Sequence, residues 1–421
     1  MTSRERIIAA INHREPDRTP VDFGGTVVTS LTAGVIPRLR MALGLDKTEK
    51  PVKVFEPIQM LGEVADDLRE RLHGDCIGIF GTSTRFGFKN ADWKEWKMFD
   101  GTQVLVPGKF NTEPDENGDI VQYPRGDKTL APSSRMPEGG LYFDAIVRQK
   151  PIDENKLDPS DNVEEFGPIP DSELEHFRKS AEYLHANTDC AVILAMPGAA
   201  LGNVAAIPAP WLESPNGIRD TEEWYISHAL RRDYVYEVYD RQTDISMGNL
   251  KRVYDAVGDK IEILYLSGSD YGTQRGPLFS PDMFRDIYKP FFIRMCGWIH
   301  RNTSWKVMIH SCGGNRPIMN DIIEAGIDIF NPVQCSAEGM EPNALKKDFG
   351  NRITFWGGGV DTQKTLPFGS PEEVYNEVRE RIRIFNRGGG FVFNTIHNIQ
   401  ANTPVENILA MLKAIEDSFP A

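Results

Sequence analysis

The stretch Trp305-Lys-Val-Met-Ile-His310-Ser-Cys312-Gly-Gly314 decides how the chain is read. A short apolar run bounded by turn residues is the mark of a buried strand in a parallel sheet. This one ends in a histidine, with a cysteine two positions further on at the start of a glycine loop. An imidazole nitrogen and a thiolate so placed can share one metal ion, and the mixed nitrogen and sulfur donors favour zinc. Two ligands do not make a stable zinc site. A third is offered by Gly390-Phe-Val-Phe-Asn-Thr-Ile-His397-Asn-Ile-Gln400, another apolar run that ends in a histidine. If both runs are strands of one parallel barrel, their C-terminal ends open onto the same face. His310, Cys312 and His397 are therefore the candidate metal ligands. The competing reading is structural, because cysteine is among the most commonly buried residues and a histidine beside an apolar run is often a hydrogen-bonded core residue.

Outward from this stretch the chain alternates short apolar runs with amphipathic ones. The spacing predicts a first helix over 2–12, with Thr2 and Glu5 at capping-box positions and Ile7, Ile8 and Ile11 on one face. A short strand over 19–25, a helix over 33–43 and a second amphipathic stretch over 55–72 follow, leading into the buried run Asp75-Cys-Ile-Gly-Ile-Phe80-Gly81. From 85 to 170 the character changes to turns such as Asp100-Gly101 and short alternating runs, which reads as a β-meander or irregular insertion. Long insertions in compact domains are often functional, so this one is either a solvated lid or a cover that shapes a pocket. Regular alternation resumes with a helix over 172–186 and a strand over 191–196, then a long helical pattern over 229–257 and a strand over 261–266. Ser280-Pro281, Ser370-Pro371 and Thr403-Pro404 each open a further helix, the last two with capping-box spacing to Glu373 and Glu406.

Eight strands result, near Val21, Cys76, Ala191, Ile261, Lys306, Ile327, Arg352 and Phe391. Each is followed by a helix-like stretch except where the insertion intervenes. This order predicts an α/β protein, a TIM (β/α)8 barrel spanning 1–421 as one domain, with the β-rich insertion 85–170 after the second strand. A doubly wound open sheet is the alternative. It would carry a glycine-rich phosphate fingerprint after an early strand, and the glycine runs at 357–359 and 388–390 lack that spacing.

Composition narrows the function. A chain of 421 residues with net charge −14 has no surface suited to nucleic acid, so a small molecule or another protein is the expected partner. Five cysteines thinly spread through so long a chain do not resemble a disulfide framework and fit a reducing cytoplasm. No run approaches the roughly 18 apolar residues of a membrane span. The oligomeric state is not written in such features, and a homodimer is left open.

In a barrel, chemistry sits in the loops after the strands. Those positions hold Asp270, Gln274, Gln334 and Gln400, together with Thr82, Asn203, Asn331 and Asp361, an amide-rich set suited to orienting a neutral or weakly charged ligand. Asp270, in Gly268-Ser-Asp270-Tyr-Gly272, either supports the metal or caps its own turn. Cys335 is a further thiol within conceivable reach of the metal.

Three segments resemble the uroporphyrinogen decarboxylase superfamily, and its corrinoid-dependent methyltransferase branch more closely than the decarboxylases. Arg4-Glu-Arg-Ile-Ile-Ala-Ala-Ile-Asn-His-Arg-Glu-Pro-Asp-Arg-Thr-Pro20 is similar to the family's N-terminal helix and first strand. His310-Ser-Cys-Gly313 resembles the His-x-Cys zinc motif of the methyltransferases, and Thr403-Pro-Val-Glu-Asn407 the helix after their third ligand. That ligand is ordinarily a cysteine, and the matching position here is His397. The resemblance implies a cytoplasmic zinc-dependent methyltransferase that moves a methyl group between a small methylated compound and a corrinoid held by a separate protein. With one thiolate in place of two, the ion would be a stronger Lewis acid, which points to methoxy donors and O-demethylation. A decarboxylase-like lyase is the runner-up. Against it, the loop Phe23-Gly-Gly-Thr-Val-Val-Thr29 lacks the arginine that decarboxylases carry there, and Thr82 stands where they have an aspartate. A non-catalytic ligand-binding barrel is the third reading.

Overall fold

The computed structural model describes residues 1–420. Seven parallel strands form one curved sheet, labelled here β1 (Cys76–Ile79), β2 (Ala191–Ala195), β3 (Ile263–Ser267), β4 (Lys306–His310), β5 (Ile329–Asn331), β6 (Thr354–Trp356) and β7 (Phe391–Val392), each beside the next in chain order. The segment around Val21 closes the gap between β7 and β1. Val21 bridges Phe393 in parallel, the Asp22 amide donates to the Phe393 carbonyl at 2.9 Å, and the Asp75 amide donates to the Val21 carbonyl at 2.7 Å. The barrel predicted from eight apolar runs is present, with its first strand reduced to one bridging residue.

Strand alternation explains what faces where. Cys76, Ala191, Ile193, Ile263, Tyr265, Met308, Ile329, Trp356 and Val392 pack together inside the barrel, while Val192, Leu194, Leu264, Val307, Ile309, Phe330 and Phe355 pack in the larger cluster shared with the surrounding helices. Side chains on a strand repeat every second residue. His310, two residues after Met308, and Asn331, two after Ile329, therefore point inward one layer above this core.

The N-terminal end is stoppered by α1 (Ser3–Ile11), which carries the predicted Thr2/Glu5 capping box and contributes Ile7, Ala10 and Ile11 to the inner core. Asp75, fully buried just before β1, ties this end together. Its carboxylate accepts from Arg6 Nη1 at 2.7 Å, from Arg18 Nη1 and Nη2 at 2.9 Å each, and from the Val21 amide at 2.9 Å.

Several expected elements differ. The 33–43 helix is shorter, Ile36–Ala42. The amphipathic stretch over 55–72 is mostly not helical: Val52–Glu56 and Leu61–Gly62 are strands, and only Asp66–Arg71 is helix. The cause is tertiary, because Val52–Glu56 pairs in parallel with Gln103–Val106 of the insertion, which pairs antiparallel with Lys94–Lys97. A three-stranded antiparallel sheet of Ile120–Gln122, Ser134–Met136 and Asp144–Ala145 completes this region. It has its own core, in which Phe86, Phe110 and Phe143 join Val54 and Met60. The helix Val405–Glu416 begins without a side-chain cap, with Pro404 at the N-cap, so the Thr403 capping box does not form. After the insertion, helices α2 (Asp171–Asn187), α3 (Thr221–Leu230) and α4 (Arg232–Val257) pack outside the barrel. Among the described residues, no helix is long and apolar enough to cross a membrane.

Candidate metal centre

His310 ends β4, Cys312 opens the loop that follows, and His397 lies in the loop after β7. One ligand atom from each falls within 4.8 Å of the others. Cys312 Sγ lies 3.4 Å from His310 Nε2, and the two imidazole rings meet edge to face at 5.4 Å between centroids. Two strands three places apart in the sheet thus deliver three donors to one point because both end at the same mouth.

The orientation of His310 is fixed from behind. Its Nδ1 lies 2.6 Å from Asn331 Oδ1, and Asn331 Nδ2 donates to the Trp356 carbonyl at 3.0 Å. The carbonyl can accept only from the amide nitrogen, so the amide oxygen must face the histidine and Nδ1 must carry the ring proton. The Nε2 lone pair is then left pointing at Cys312. A carbonyl acceptor that fixes the ring of a metal-binding histidine is the usual second layer of such a site.

Titration favours ligation. Burial lowers His310 to about 4 against the Asn331 hydrogen bond, and burial, then the neighbouring His310, lowers His397 to about 4. Both rings are neutral near pH 7. Burial and the Asp270 carboxylate raise the Cys312 thiol well above its ordinary range, so it keeps its proton until a cation replaces it. The His397 side chain makes no hydrogen bond among the described residues. Two neutral imidazoles and one thiol gathered at one point are a donor set that fits a zinc ion.

Asp270 neither caps its own turn nor lines the open cavity. It reaches into the next loop, where Oδ1 accepts from the Cys312 amide at 2.7 Å and lies 3.8 Å from His310 Nε2. Burial raises its carboxyl above the ordinary range. Gln334 is also spent on the loop, its Oε1 accepting from the Gly313 amide at 2.7 Å. Gln274 and Gln400 line a cavity of about 440 Å³ that also touches Cys312, Gln334 and His397. Gln274 Nε2 donates to Gln363 at 3.1 Å, and Gln400 Nε2 to the Asn398 carbonyl at 3.2 Å. Cys335 stays apart, its thiol against the Gly358 carbonyl at 3.9 Å. Thr82 is also remote in role, its hydroxyl donating to Glu173 on α2 at 2.6 Å.

Two features escape sequence reasoning. Asn331 stood among the strand ends, but its partnership with His310 depends on the register that sets His310 opposite Asn331. The crossing of the Cys312 loop with the hairpin after β3 is equally invisible. A Cβ on Gly313, whose φ is +91°, would stand 2.3 Å from the Gly272 carbonyl carbon. Only glycine permits that approach.

The uroporphyrinogen decarboxylase (URO-D) family model matches residues 148–418. Methylated-thiol–coenzyme M methyltransferase of Methanosarcina mazei is 26% identical over 181 residues, which is 42% of this chain and 43% of that relative, so less than half of its length is spanned. The fold is similar to that of a solved methyltransferase from Methanosarcina mazei, with a TM-score of 0.56 and 14% identity over 100% of both chains. The family match begins inside the insertion, runs through the last helix and includes His310, Cys312 and His397, and the chain belongs to the uroporphyrinogen decarboxylase family.

Proposed function

We propose that this protein is a zinc-dependent methyltransferase that moves a methyl group between a small methoxylated compound and a corrinoid carried by a separate protein. The observation that carries this reading is the convergence of His310, Cys312 and His397 within 4.8 Å at the open end of the barrel. The similarity to a methyltransferase that acts with methylated thiols and coenzyme M supports methyl transfer as the reaction type.

His310, Cys312 and His397 would hold the ion, which when bound supplies Lewis acidity at the heteroatom that carries the methyl group. Asn331 keeps the His310 Nδ1 proton and so presents Nε2. Cys312 would give up its thiol proton to serve as a thiolate ligand. Asp270 holds the Cys312 amide and brings one carboxylate close to the set. Gln274 and Gln400 offer amides to a substrate in the adjoining cavity. A set with one thiolate leaves the ion more positive than one with two, which suits an ether oxygen better than a thiol. The decarboxylase reading has less support, because the 23–29 loop has no arginine and the Thr82 hydroxyl is bound to Glu173.

The test is methyl transfer to a cobalt(I) corrinoid, followed by its absorbance, with methoxy compounds and thioethers compared as donors. Transfer from methoxy compounds is expected. Transfer from thioethers alone would overturn the choice of donor, and transfer from neither would overturn the reaction type.

A further inference from the structure

A second cavity, of about 400 Å³, opens at the barrel mouth between the ends of β1, β2 and β3 and the start of the insertion. Its walls are aromatic. Phe55 and Phe80 lie 4.9 Å apart between ring centroids, and Phe166, Trp211 and Tyr265 complete the lining. Three charged side chains also face it, Glu56, Arg85 and Glu165.

Both acids are committed to protein partners. Glu165 accepts from Arg219 Nη1 at 2.9 Å and Nη2 at 3.0 Å, and Glu56 accepts from the amides of Gln59 at 2.9 Å and Ile58 at 3.3 Å. Arg85 differs. It is half-buried, lines the cavity, and has neither a hydrogen bond nor an ion pair among the described residues. The charge of the nearby buried Glu56 offsets part of its own, but a guanidinium drawn partly out of water with no hydrogen-bonded acceptor is unfavourable, and its planar donors match a carboxylate. Tyr265 marks the other end. Its hydroxyl also makes no hydrogen bond among the described residues, and in the sheet register Tyr265 stands beside Met308, two residues before His310. A cavity of this size holds one substituted ring.

We propose that this cavity binds a small aromatic carboxylate, with the acid group on Arg85, the ring among Phe55, Phe80, Phe166 and Trp211, and Tyr265 at the end nearer the metal ligands. Resting on the methyl-transfer reading above, the donor is then a methoxylated aromatic acid. The methyl–oxygen bond breaks with its electron pair left on oxygen, which takes a proton from solvent. The methyl group leaves to the reduced corrinoid, which supplies the electron pair of the new bond. The amide-rich strand ends alone suggest a neutral ligand, and the insertion changes that by adding a cation.

Isothermal titration of the full-length protein with 4-methoxybenzoate and 4-methoxybenzamide tests the proposal without turnover. The acid is expected to bind the wild type about tenfold or more tightly than the amide, as a charge-assisted hydrogen bond implies. Arg85→Gln should abolish that preference while leaving amide binding within about twofold, which also shows that the variant is folded, and Arg85→Lys should keep part of it. Equal binding of acid and amide to the wild type, no binding of the acid, or a full preference surviving in Arg85→Gln would each overturn the proposal. An acid preference without methyl transfer leaves this pocket standing and removes the reaction proposed above. Transfer from uncharged methoxy compounds with no acid preference does the reverse.

Discussion

Asn331 touches no open cavity, yet it decides what His310 can do. Its oxygen fixes the Nδ1 proton and its nitrogen is anchored on the Trp356 carbonyl. Asn331→Ala should therefore weaken zinc binding by about ten- to a hundredfold, measured by competition with a chromogenic chelator, because loss of such a partner frees the ring to rotate and to change tautomer. Unchanged affinity would show that the hydrogen bond is incidental. Gly313 acts through space rather than chemistry. Gly313→Ala would drive a methyl group into the backbone of the neighbouring hairpin at a residue whose φ is +91°. The loop holding Cys312 must then shift, and zinc affinity should fall even where the folded content, read by circular dichroism, is kept. Neither effect can be read from His-x-Cys itself, since both depend on what other strands bring alongside.

Among the elements, the stopper helix α1 and the reduced first strand depend on a single buried carboxylate. Asp75→Ala would leave Arg18 without its carboxylate partner and Arg6 with Asp17 alone at the closed end, and urea denaturation should register a loss of about 3–5 kcal/mol, as for other broken buried ion pairs. A loss under about 1 kcal/mol, typical of surface pairs, would mean that water takes over the role. Helices α3 and α4 meet at His228, whose Nδ1 donates to the Trp224 carbonyl within α3 at 2.9 Å, while its Nε2 lies 3.2 Å from the Tyr239 hydroxyl of α4 and accepts from the Tyr288 hydroxyl at 2.7 Å. Burial lowers this histidine to about 4. The native state thus binds fewer protons here than the unfolded chain, so the stability it contributes is present above about pH 6.5 and is lost as pH falls toward 4. Between pH 7 and pH 5 the wild type should lose about 2 kcal/mol more than His228→Gln, read from denaturant midpoints. Equal losses would contradict a neutral buried ring. The buried strands were legible because an unbroken apolar run has few other homes, and α1 because its capping box and apolar face agree. The 55–72 stretch misled because its strand at Val52–Glu56 is set by pairing with Gln103–Val106, which lies beyond an entire barrel strand. Thr403 misled because a capping box also requires the helix to begin one residue later than its threonine, and here it begins at Val405.

At the scale of the whole molecule, the barrel gathers at one mouth what the sequence spreads over hundreds of residues. His310 and His397 could be paired by reasoning alone, since parallel strands that end in histidines must deliver them to the same face. Arg85 could not, because the insertion that carries it has no fixed place until its sheet joins Val52–Glu56 and its aromatic core forms. Asp270 does not cap its own turn and instead reaches across to the Cys312 loop, beside the candidate metal ligands. The proposed chemistry requires that His310, Cys312 and His397 form one metal site. Its most direct test is elemental analysis of protein purified without a histidine tag, for the wild type and for His310→Ala, Cys312→Ser and His397→Ala. About one zinc per wild-type chain, lowered in each variant, is the predicted result. A wild-type protein that is folded, zinc-free and unable to take up zinc would contradict the account.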